Sequence, residues 1–220
     1  MTPTLYIGNK NYSSWSMRPW LALRWAGIDF EERLIPLGGV GYGKSAIAEV
    51  LAVSPSGRVP VLHVGEVVIW DSLAIAEWAA ENATVAIWPQ DPMTRALCRS
   101  AAAEMHSSFA AMRRDLGMNL RRRTSPRDWP EDTRRDLARV EELWGALRSK
   151  YAQQGPYLFG QRSIADAFYA PVATRLRTYG VDVSETTRAY MDTIFSDTAF
   201  AAWEAAALAE TWSIPSTDAL

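Results

Sequence analysis

The spacing of apolar and polar residues changes about a third of the way along the chain. Up to residue 82, short apolar runs of strand length alternate with helical spacings. Beyond residue 92, apolar residues recur every three or four positions over long stretches, as they do in amphipathic helices. The pattern predicts a small α/β domain over residues 1–82, a linker over residues 83–92 and an all-helical domain over residues 93–220.

The first domain is predicted to contain a mixed four-stranded sheet. Its strands are expected at Thr4–Ile7, Phe30–Ile35, Val59–Val64 and Val67–Trp70, and its helices from Trp20 to about Gly27, from Lys44 to Leu51 and from Ser72 to Glu81. The first strand–helix–strand crossover requires parallel pairing. The last two strands, separated only by Gly65 and Glu66, form an antiparallel hairpin. The domain is therefore expected to resemble a small βαβα–ββα unit.

Five helices are predicted in the second domain. One long helix carries the apolar positions from Leu97 to Leu120, and a second carries those from Leu137 to Tyr151. Ser163 and Asp166 have the spacing of a capping box, which opens a third helix running to about Tyr179. Shorter helices are predicted at Glu185–Phe195 and Ala199–Thr211.

Composition narrows the class of protein. The net charge is −2 and the pI is about 5.8, so we expect no nucleic-acid partner, and the run Arg121–Arg123 is interpreted as a solvated loop. No stretch reaches the roughly 18 apolar residues of a membrane span, and no signal peptide is evident, so a cytoplasmic location is predicted. Cys98 is the only cysteine and the chain has two histidines, which argues against a disulfide and against a zinc site.

Hydroxyl groups are crowded where the first strand leads into the first helix. Ser13, Ser14 and Ser16 occupy this turn. Free backbone N–H groups and the positive end of a helix dipole favour an anion there, such as a carboxylate, a phosphate or a thiolate. The alternative is that Ser13 or Ser14 only caps the helix.

Two further segments are candidate binding sites. Pro60 cannot donate to a sheet ladder, so it is either an ordinary edge proline or the second residue of a cis bond that leaves Val59 free to pair with an extended ligand. Asp71 and Ser72 begin the third helix, where they would grip an ammonium and a carboxylate. A plain N-cap role for Asp71 is the alternative.

Together these motifs resemble the cytosolic glutathione transferases over essentially the whole chain. The stretch Ser13–Arg18 is similar to the Ser-Ser-Cys-Ser-x-Arg motif of the zeta-like bacterial branch. The similarity continues through Gly57–Leu62, Asp71–Glu77 and Gly160–Asp166. The resemblance implies a thioredoxin-like domain that binds glutathione as co-substrate, a helical domain that covers a small electrophile, a detoxifying role, no metal and a homodimer.

Roles for individual residues follow from the same resemblance. Ser13 or Ser14 would donate a hydrogen bond to the glutathione sulfur. Val59 would pair with the cysteinyl residue beside a cis Pro60, and Asp71 and Ser72 would bind the γ-glutamyl end. The motif's arginine is Arg18, which would bind glutathione or support the structure. Because no cysteine lies in the motif, thiol–disulfide exchange is disfavoured.

The electrophile site is expected between the hydroxyl turn and the helical domain. Trp15 stands where the zeta motif has cysteine, which puts maleylacetoacetate isomerisation in doubt, and it either shapes the pocket or packs against the first helix. His106 and Phe109 would line the site, and His106 as an ordinary packed histidine is the alternative. Arg175 and Arg177 lie two apart in one helix, so at most one of them faces the pocket.

The leading hypothesis is an enzyme that conjugates glutathione to a small organic electrophile. One alternative is a glutathione-dependent isomerase or dehalogenase. Another is a non-catalytic protein that sequesters ligands with the same fold.

Overall fold

The structure, a computed structural model, describes residues 2–220. The first part of the chain forms β1 (Thr4–Ile7), α1 (Ser14–Trp25), β2 (Glu31–Leu34), α2 (Ala48–Leu51), β3 (Val61–Val64), β4 (Val67–Trp70) and α3 (Ser72–Glu81). The remainder forms α4 (Pro92–Ser107), α5 (Ala110–Asp115), α6 (Glu131–Tyr151), a single 3-10 turn (Ala152–Gln154), α7 (Ile164–Thr178), α8 (Glu185–Ser196), α9 (Thr198–Ala209) and α10 (Pro215–Asp218).

The sheet has the order β2-β1-β3-β4. Strands β1 and β2 are parallel, whereas β3 pairs antiparallel with both β1 and β4. The predicted fold class is therefore confirmed: a mixed four-stranded sheet with helices precedes a helical domain. The domain boundaries at residues 82 and 92 stay predictions, with α3 ending at Glu81 and α4 beginning at Pro92. None of the helices described for residues 2–220 is long and apolar enough to cross a membrane.

Helix α1 lies at the centre of the molecule. Every residue of it except Trp15 and Arg24 is buried, and the helix packs against α3, α7 and α9. The prediction that this helix begins at Trp20 was wrong, because it begins at Ser14. Ser13 caps it by accepting a hydrogen bond from the Ser16 amide, so the hydroxyl turn is the first turn of a helix joined to both domains.

The predicted long helix from Leu97 to Leu120 is also wrong, because it breaks after Ser107. Phe109 has φ 63° and ψ 42°, a left-handed conformation that ends a helix. Side chains satisfy the released backbone groups: the Met112 amide donates to the Asp136 carboxylate at 2.9 Å, and the Arg113 guanidinium donates to the Ser108 carbonyl at 3.0 Å. The apolar positions keep their spacing through the break, which is why the sequence pattern conceals it.

Candidate functional site

A cavity of about 720 Å³ opens along the carboxyl end of β1 and the start of α3. Of the residues singled out from the sequence, it is lined by Ser13, Trp15, Val59, Pro60, Asp71 and Ser72. Segments far apart in the sequence therefore meet at one cleft. We call Ser13, Val59, Pro60, Asp71 and Ser72 the hydroxyl face.

Ser13 is both a helix cap and part of the cavity wall. Its Oγ accepts from the Ser16 amide at 3.3 Å and donates to the Ser16 Oγ at 2.8 Å. The Ser16 Oγ also accepts from the Gly8 amide at 3.1 Å. If the Ser16 hydroxyl rotates to donate to Ser13, the Ser13 proton is free to point into the cleft. The capping and anion-binding interpretations of this turn are thus compatible.

Ser14 has different surroundings from its neighbour. It is buried and does not line the cavity, and its Oγ accepts a hydrogen bond from the Arg175 guanidinium at 3.1 Å. The two serines that the sequence could not separate therefore face different partners. Ser13 faces the cleft, and Ser14 connects α1 to α7.

The remaining part of the hydroxyl face comes from the loops before β3 and α3. The Val59–Pro60 bond is cis, and β3 begins only at Val61. Asp71 has φ 76°, a conformation that is uncommon for a residue with a side chain. Its Oδ1 accepts from the Leu73 amide at 2.7 Å, which makes it the N-cap, while its Oδ2 lies 3.5 Å from Nε2 of His106.

Ser72 carries an unused polar atom. Its side chain is 1% exposed, and its Oγ has no hydrogen-bond partner among the described residues. A buried hydroxyl at a helix N-terminus without a partner leaves a donor and an acceptor for a ligand. Asp71 therefore serves as a cap and still offers one carboxylate oxygen, and Ser72 offers its whole hydroxyl.

Behind Trp15 lies a group of buried cations. Arg18 is fully buried with its guanidinium 4.3 Å from the Trp15 ring centre and 5.1 Å from that of Phe168. None of its three guanidinium nitrogens has a hydrogen-bond partner among residues 2–220. Arg113 also lies over the Trp15 ring, at 4.9 Å. We call Arg18, Arg113 and Arg175 the cationic face.

The charges of the cationic face are poorly compensated. Burial, followed by the charges of Arg113 and Arg175, holds the pKa of Arg18 well below its ordinary value. Burial and then Arg113 lower the pKa of Arg175 to about 10. The pKa of Arg113 is lowered too, mainly by burial, and partly restored by Asp136. These guanidiniums repel one another, so an anion placed among them would be strongly stabilised.

His106 links the two faces. Its ring lies edge-on to Trp15 at 5.5 Å and 6.1 Å from the ring of Phe168. Burial lowers its pKa, the carboxylate of Asp71 opposes that shift, and the charges of Arg18 and Arg113 add to it. The imidazole is therefore neutral at pH 7, and Nδ1 has no partner among the described residues.

Six of the predicted site residues do not line the cavity: Ser14, Arg18, His106 and Arg175, described above, and Phe109 and Arg177. Phe109 is 4% exposed and does not line the cavity, because the helix break that it forms turns it into the core. The Arg177 guanidinium bonds to the Glu204 carboxylate in α9 and lies over the Phe195 ring. Positions 175 and 177 differ by about 200° around a helix, so Arg175 faces α1 and Arg177 faces away, in line with the expectation that at most one faces the site.

Other residues of the cleft were missed from the sequence. Tyr12, Tyr42, Arg58 and Trp70 line the cavity, and Arg113 joins the cationic face. In the single helix predicted here, Arg113 follows His106 by seven residues, which is the spacing of one helix face. The break after Ser107 puts the two residues on different helices, so this signal does not account for the position of Arg113. Tyr42 had no sequence signal, because its loop carries no regular pattern.

The position of the only cysteine and of the side chains that could bind a metal bears on redox and metal chemistry. Cys98 is fully buried in α4, and burial raises the pKa of its thiol to about 12. Among residues 2–220, no group of three or more His, Cys, Asp or Glu side chains is arranged to hold a metal ion.

Comparisons with known proteins agree with this architecture. The family model described as "Glutathione S-transferase, N-terminal domain" matches residues 12–82, and that of the "Glutathione S-transferase, C-terminal domain" matches residues 77–207. A maleylacetoacetate isomerase from Pseudomonas aeruginosa is 32% identical over 192 residues, covering 80% of this chain and 82% of that protein. Glutathione S-transferase 1 from Dianthus caryophyllus is 29% identical over 188 residues, covering 82% and 80%.

A solved structure supports the same fold. The crystal structure of a glutathione transferase homolog from Burkholderia, with bound glutathione, has a TM-score of 0.70 at 24% identity and covers 96% of this chain and 100% of its own. The fold and cleft define a thioredoxin-like protein with a helical cover. The chain belongs to the glutathione S-transferase family, as the two family models show.

Proposed function

We propose that this transferase binds glutathione along the hydroxyl face and joins it to an electrophile that carries a carboxylate. The glutathione part rests on three segments of one cleft. Asp71 Oδ2 would bind the γ-glutamyl ammonium. The Ser72 hydroxyl and the α3 amides would bind the γ-glutamyl carboxylate, and the Val59 backbone would pair with the cysteinyl residue. This arrangement directs the thiol towards Ser13. The glutathione-bound Burkholderia homolog supports the choice of ligand.

Ser13 would then stabilise the thiolate. A free thiol with a pKa of about 8.5 is mostly protonated at pH 7, whereas the thiolate is the nucleophile. The Ser13 hydroxyl, oriented by Ser16, donates to the sulfur, and the N-terminus of α1 adds its positive end. Lowering the thiol pKa by about two units corresponds to about 2.7 kcal/mol. Serine does this without forming a mixed disulfide.

The single observation that carries the carboxylate is Arg18, a buried guanidinium with three nitrogens that lack partners. Burying an unpaired charge costs several kcal/mol. An anion placed beside Arg18 would therefore be strongly stabilised. The Trp15 ring lies against Arg18 and Arg113, so an anion that reaches Arg18 from the cleft would have to displace this ring.

Isomerisation of an unsaturated carboxylate is a second candidate function. The same cationic face favours it, and the Pseudomonas relative is named maleylacetoacetate isomerase. In such a reaction the thiolate adds to a conjugated double bond, the bond rotates, and the thiolate leaves unchanged. Because Cys98 is the only cysteine and is buried, such chemistry would have to proceed without a thiol of the protein.

The proposal is tested first by calorimetric titration with reduced glutathione at pH 7 in two buffers of different ionisation enthalpy. Binding with proton release is expected, because the site lowers the thiol pKa. Binding without proton release would contradict the role of Ser13, and no binding would remove the glutathione proposal.

The carboxylate is tested with a matched pair of electrophiles, a chloronitrobenzoate and the uncharged chlorodinitrobenzene. Arg175→Leu is expected to lower kcat/KM about tenfold for the benzoate and about twofold for the neutral compound, because a charged hydrogen bond contributes roughly 1.5–3 kcal/mol. Arg188→Leu, an exposed arginine on α8, is the control. Equal losses for both electrophiles would contradict the proposal.

The isomerase alternative is tested with a cis unsaturated diacid as substrate. Recovery of the trans product with glutathione unchanged would establish this activity.

A homodimer and a cytoplasmic location complete the proposal. Apolar side chains are exposed on the edge strand β4 and on α4: Val67, Trp70, Met93 and Leu97. A face of this kind is typical of an interface between copies. Sedimentation of the wild-type chain beside Met93→Glu distinguishes a dimer from a monomer.

The cytoplasmic location is supported by the single buried thiol, which suits a reducing compartment. The location of a fluorescent fusion of the protein in the cell tests this proposal.

A further inference from the structure

The residues after α9 return to contact the first domain. This C-terminal clasp, residues 210–220, contains α10 and the buried Ile214, which is 1% exposed. Gly38, in the loop before α2, packs so closely against it that an added Cβ would lie 3.1 Å from the Ser213 carbonyl oxygen. The clasp therefore contacts a part of the chain more than 170 residues away.

Glu210, at the start of the clasp, holds the backbone of the turn before Ser13. Its carboxylate accepts hydrogen bonds from the amides of Lys10 at 2.6 Å and Asn11 at 3.1 Å. Arg121 fixes the same region, since its guanidinium donates to the carbonyls of Glu210 and Trp212 and to the Tyr12 hydroxyl. Arg121 lies in the exposed loop predicted for this arginine run, and it also makes these specific contacts.

Asp218, near the end of the clasp, holds the side chains of the same turn. Its carboxylate accepts from the Tyr12 hydroxyl at 2.9 and 3.0 Å and from the Asn119 amide at 2.7 Å. Asn119 in turn accepts from the Asn11 side-chain amide at 3.0 Å. Two carboxylates thus fix three consecutive residues, Lys10 to Tyr12, through both backbone and side chains.

These three residues lead directly into the hydroxyl face. Tyr12 lines the cavity, and the amides of Tyr12 and Ser13 both donate to the Asn9 carbonyl, at 3.1 and 2.8 Å. The loop that contains Gly38, which the clasp also contacts, contributes Leu37 and Tyr42 to the same cavity. The clasp therefore contacts two segments that supply cavity residues, the turn at Tyr12 and the loop around Gly38.

We propose that the C-terminal clasp sets the position of Ser13, with Asp218 and Glu210 as positioning residues that act through Tyr12 and through the Lys10 and Asn11 amides. Neither carboxylate touches the cavity. Their charge-assisted hydrogen bonds hold the turn where the Ser13 hydroxyl meets the sulfur, and a displacement of about 1 Å at such a site costs much of the rate. The inference rests on the proposed role of Ser13.

The test compares Asp218→Ala, Asp218→Glu and Asp192→Asn, the last being an exposed aspartate on α8. Asp218→Ala is expected to lower kcat about fivefold and to reduce the ultraviolet absorbance of the bound thiolate at pH 7. The glutathione dissociation constant should change by less than about twofold, since the γ-glutamyl contacts are untouched. Asp218→Glu should recover most of kcat, and Asp192→Asn should match the wild type.

Two further measurements separate positioning from general stability. Hydrogen exchange at residues 9–14 is expected to accelerate in Asp218→Ala while exchange in β3 stays as in the wild type. Tyr12→Phe combined with Asp218→Asn should lower kcat by less than the product of the two single effects, because both variants lose the same Tyr12–Asp218 hydrogen bond. A lower melting temperature with unchanged kcat, thiolate absorbance and exchange would overturn the proposal.

The clasp and the proposed function can fail separately. If the wild type binds glutathione without forming the thiolate, the role of Ser13 is wrong, and exchange at residues 9–14 alone decides whether the clasp holds the turn. If the wild type forms the thiolate and Asp218→Ala does so equally, only the clasp is wrong.

Discussion

The hydroxyl face, which lines the cleft, and the cationic face, which lies behind Trp15 and does not line it, are built in opposite ways. The hydroxyl face comes from chain segments whose polar groups are largely paired with neighbouring backbone, such as Asp71 with Leu73 and Ser13 with Ser16. The cationic face comes from α1, α5 and α7, and none of the three guanidinium nitrogens of the buried Arg18 has a partner among the described residues. The hydroxyl face offers a ligand the Ser72 hydroxyl and one carboxylate oxygen of Asp71. The cationic face offers buried positive charge, which an anion would stabilise.

The largest expected effect separates the two serines of the turn. Ser13→Ala should lower kcat about 30-fold with either electrophile, because a hydrogen bond to a charged group contributes roughly 1.5–3 kcal/mol. Ser14→Ala should lower it about threefold, since its hydroxyl serves Arg175 rather than the cleft. Steady-state kinetics at saturating glutathione makes the comparison. Equal losses would show that the two serines do not divide as the structure places them.

Arg18→Met should weaken the cationic face and at the same time stabilise the fold. The methionine fills a similar volume without an unpaired charge, and such replacements are neutral or stabilising by about 1–4 kcal/mol. We expect about tenfold lower kcat/KM for the chloronitrobenzoate together with a higher melting temperature. Loss of both activity and stability would mean that the stacking of Arg18 between Trp15 and Phe168 outweighs its desolvation.

Asp71→Asn tests the charge of the hydroxyl face while keeping its cap. An asparagine oxygen still accepts from the Leu73 amide, so the helix should remain intact. We expect the glutathione dissociation constant to rise about fivefold through loss of the ammonium partner. Titration with glutathione lacking its amino group provides the control, because that ligand should bind both proteins equally.

The smallest expected effect is that of Ser16→Ala. Removing this hydroxyl takes away the partner that orients Ser13 and the acceptor for the Gly8 amide. We expect about threefold lower kcat and little change in the dissociation constant of glutathione. A result as large as that of Ser13→Ala would mean that Ser16 itself contacts the sulfur.

How well each face could be predicted from the sequence follows from its construction. The hydroxyl face lies on local motifs at the starts of α1 and α3 and beside β3, where the residue type and the element boundary appear together. The cationic face depends on which helix sides meet in space, so Arg175 could not be separated from Arg177, and Arg113 was not recognised.

Two errors of the fold prediction have the same physical origin. The start of α1 was placed at Trp20 because Ser13–Ser16 carry weak helix preference, yet tertiary packing of α1 against α3 and α7 extends the helix to Ser14. The break at Phe109 is stabilised by Asp136 and by Arg113, contacts that no local pattern reveals. Burial and distant hydrogen bonds outweighed local propensity in both places.

The inaccessible thiol of Cys98 has a consequence for the durability of the enzyme. A catalyst that gathers reactive electrophiles around a nucleophile risks alkylating itself. The only cysteine of this sequence is buried, with a pKa of about 12, so almost none of it is thiolate at neutral pH. Under the proposed conjugation, the electrophiles would therefore meet no accessible thiol of the protein that they could alkylate.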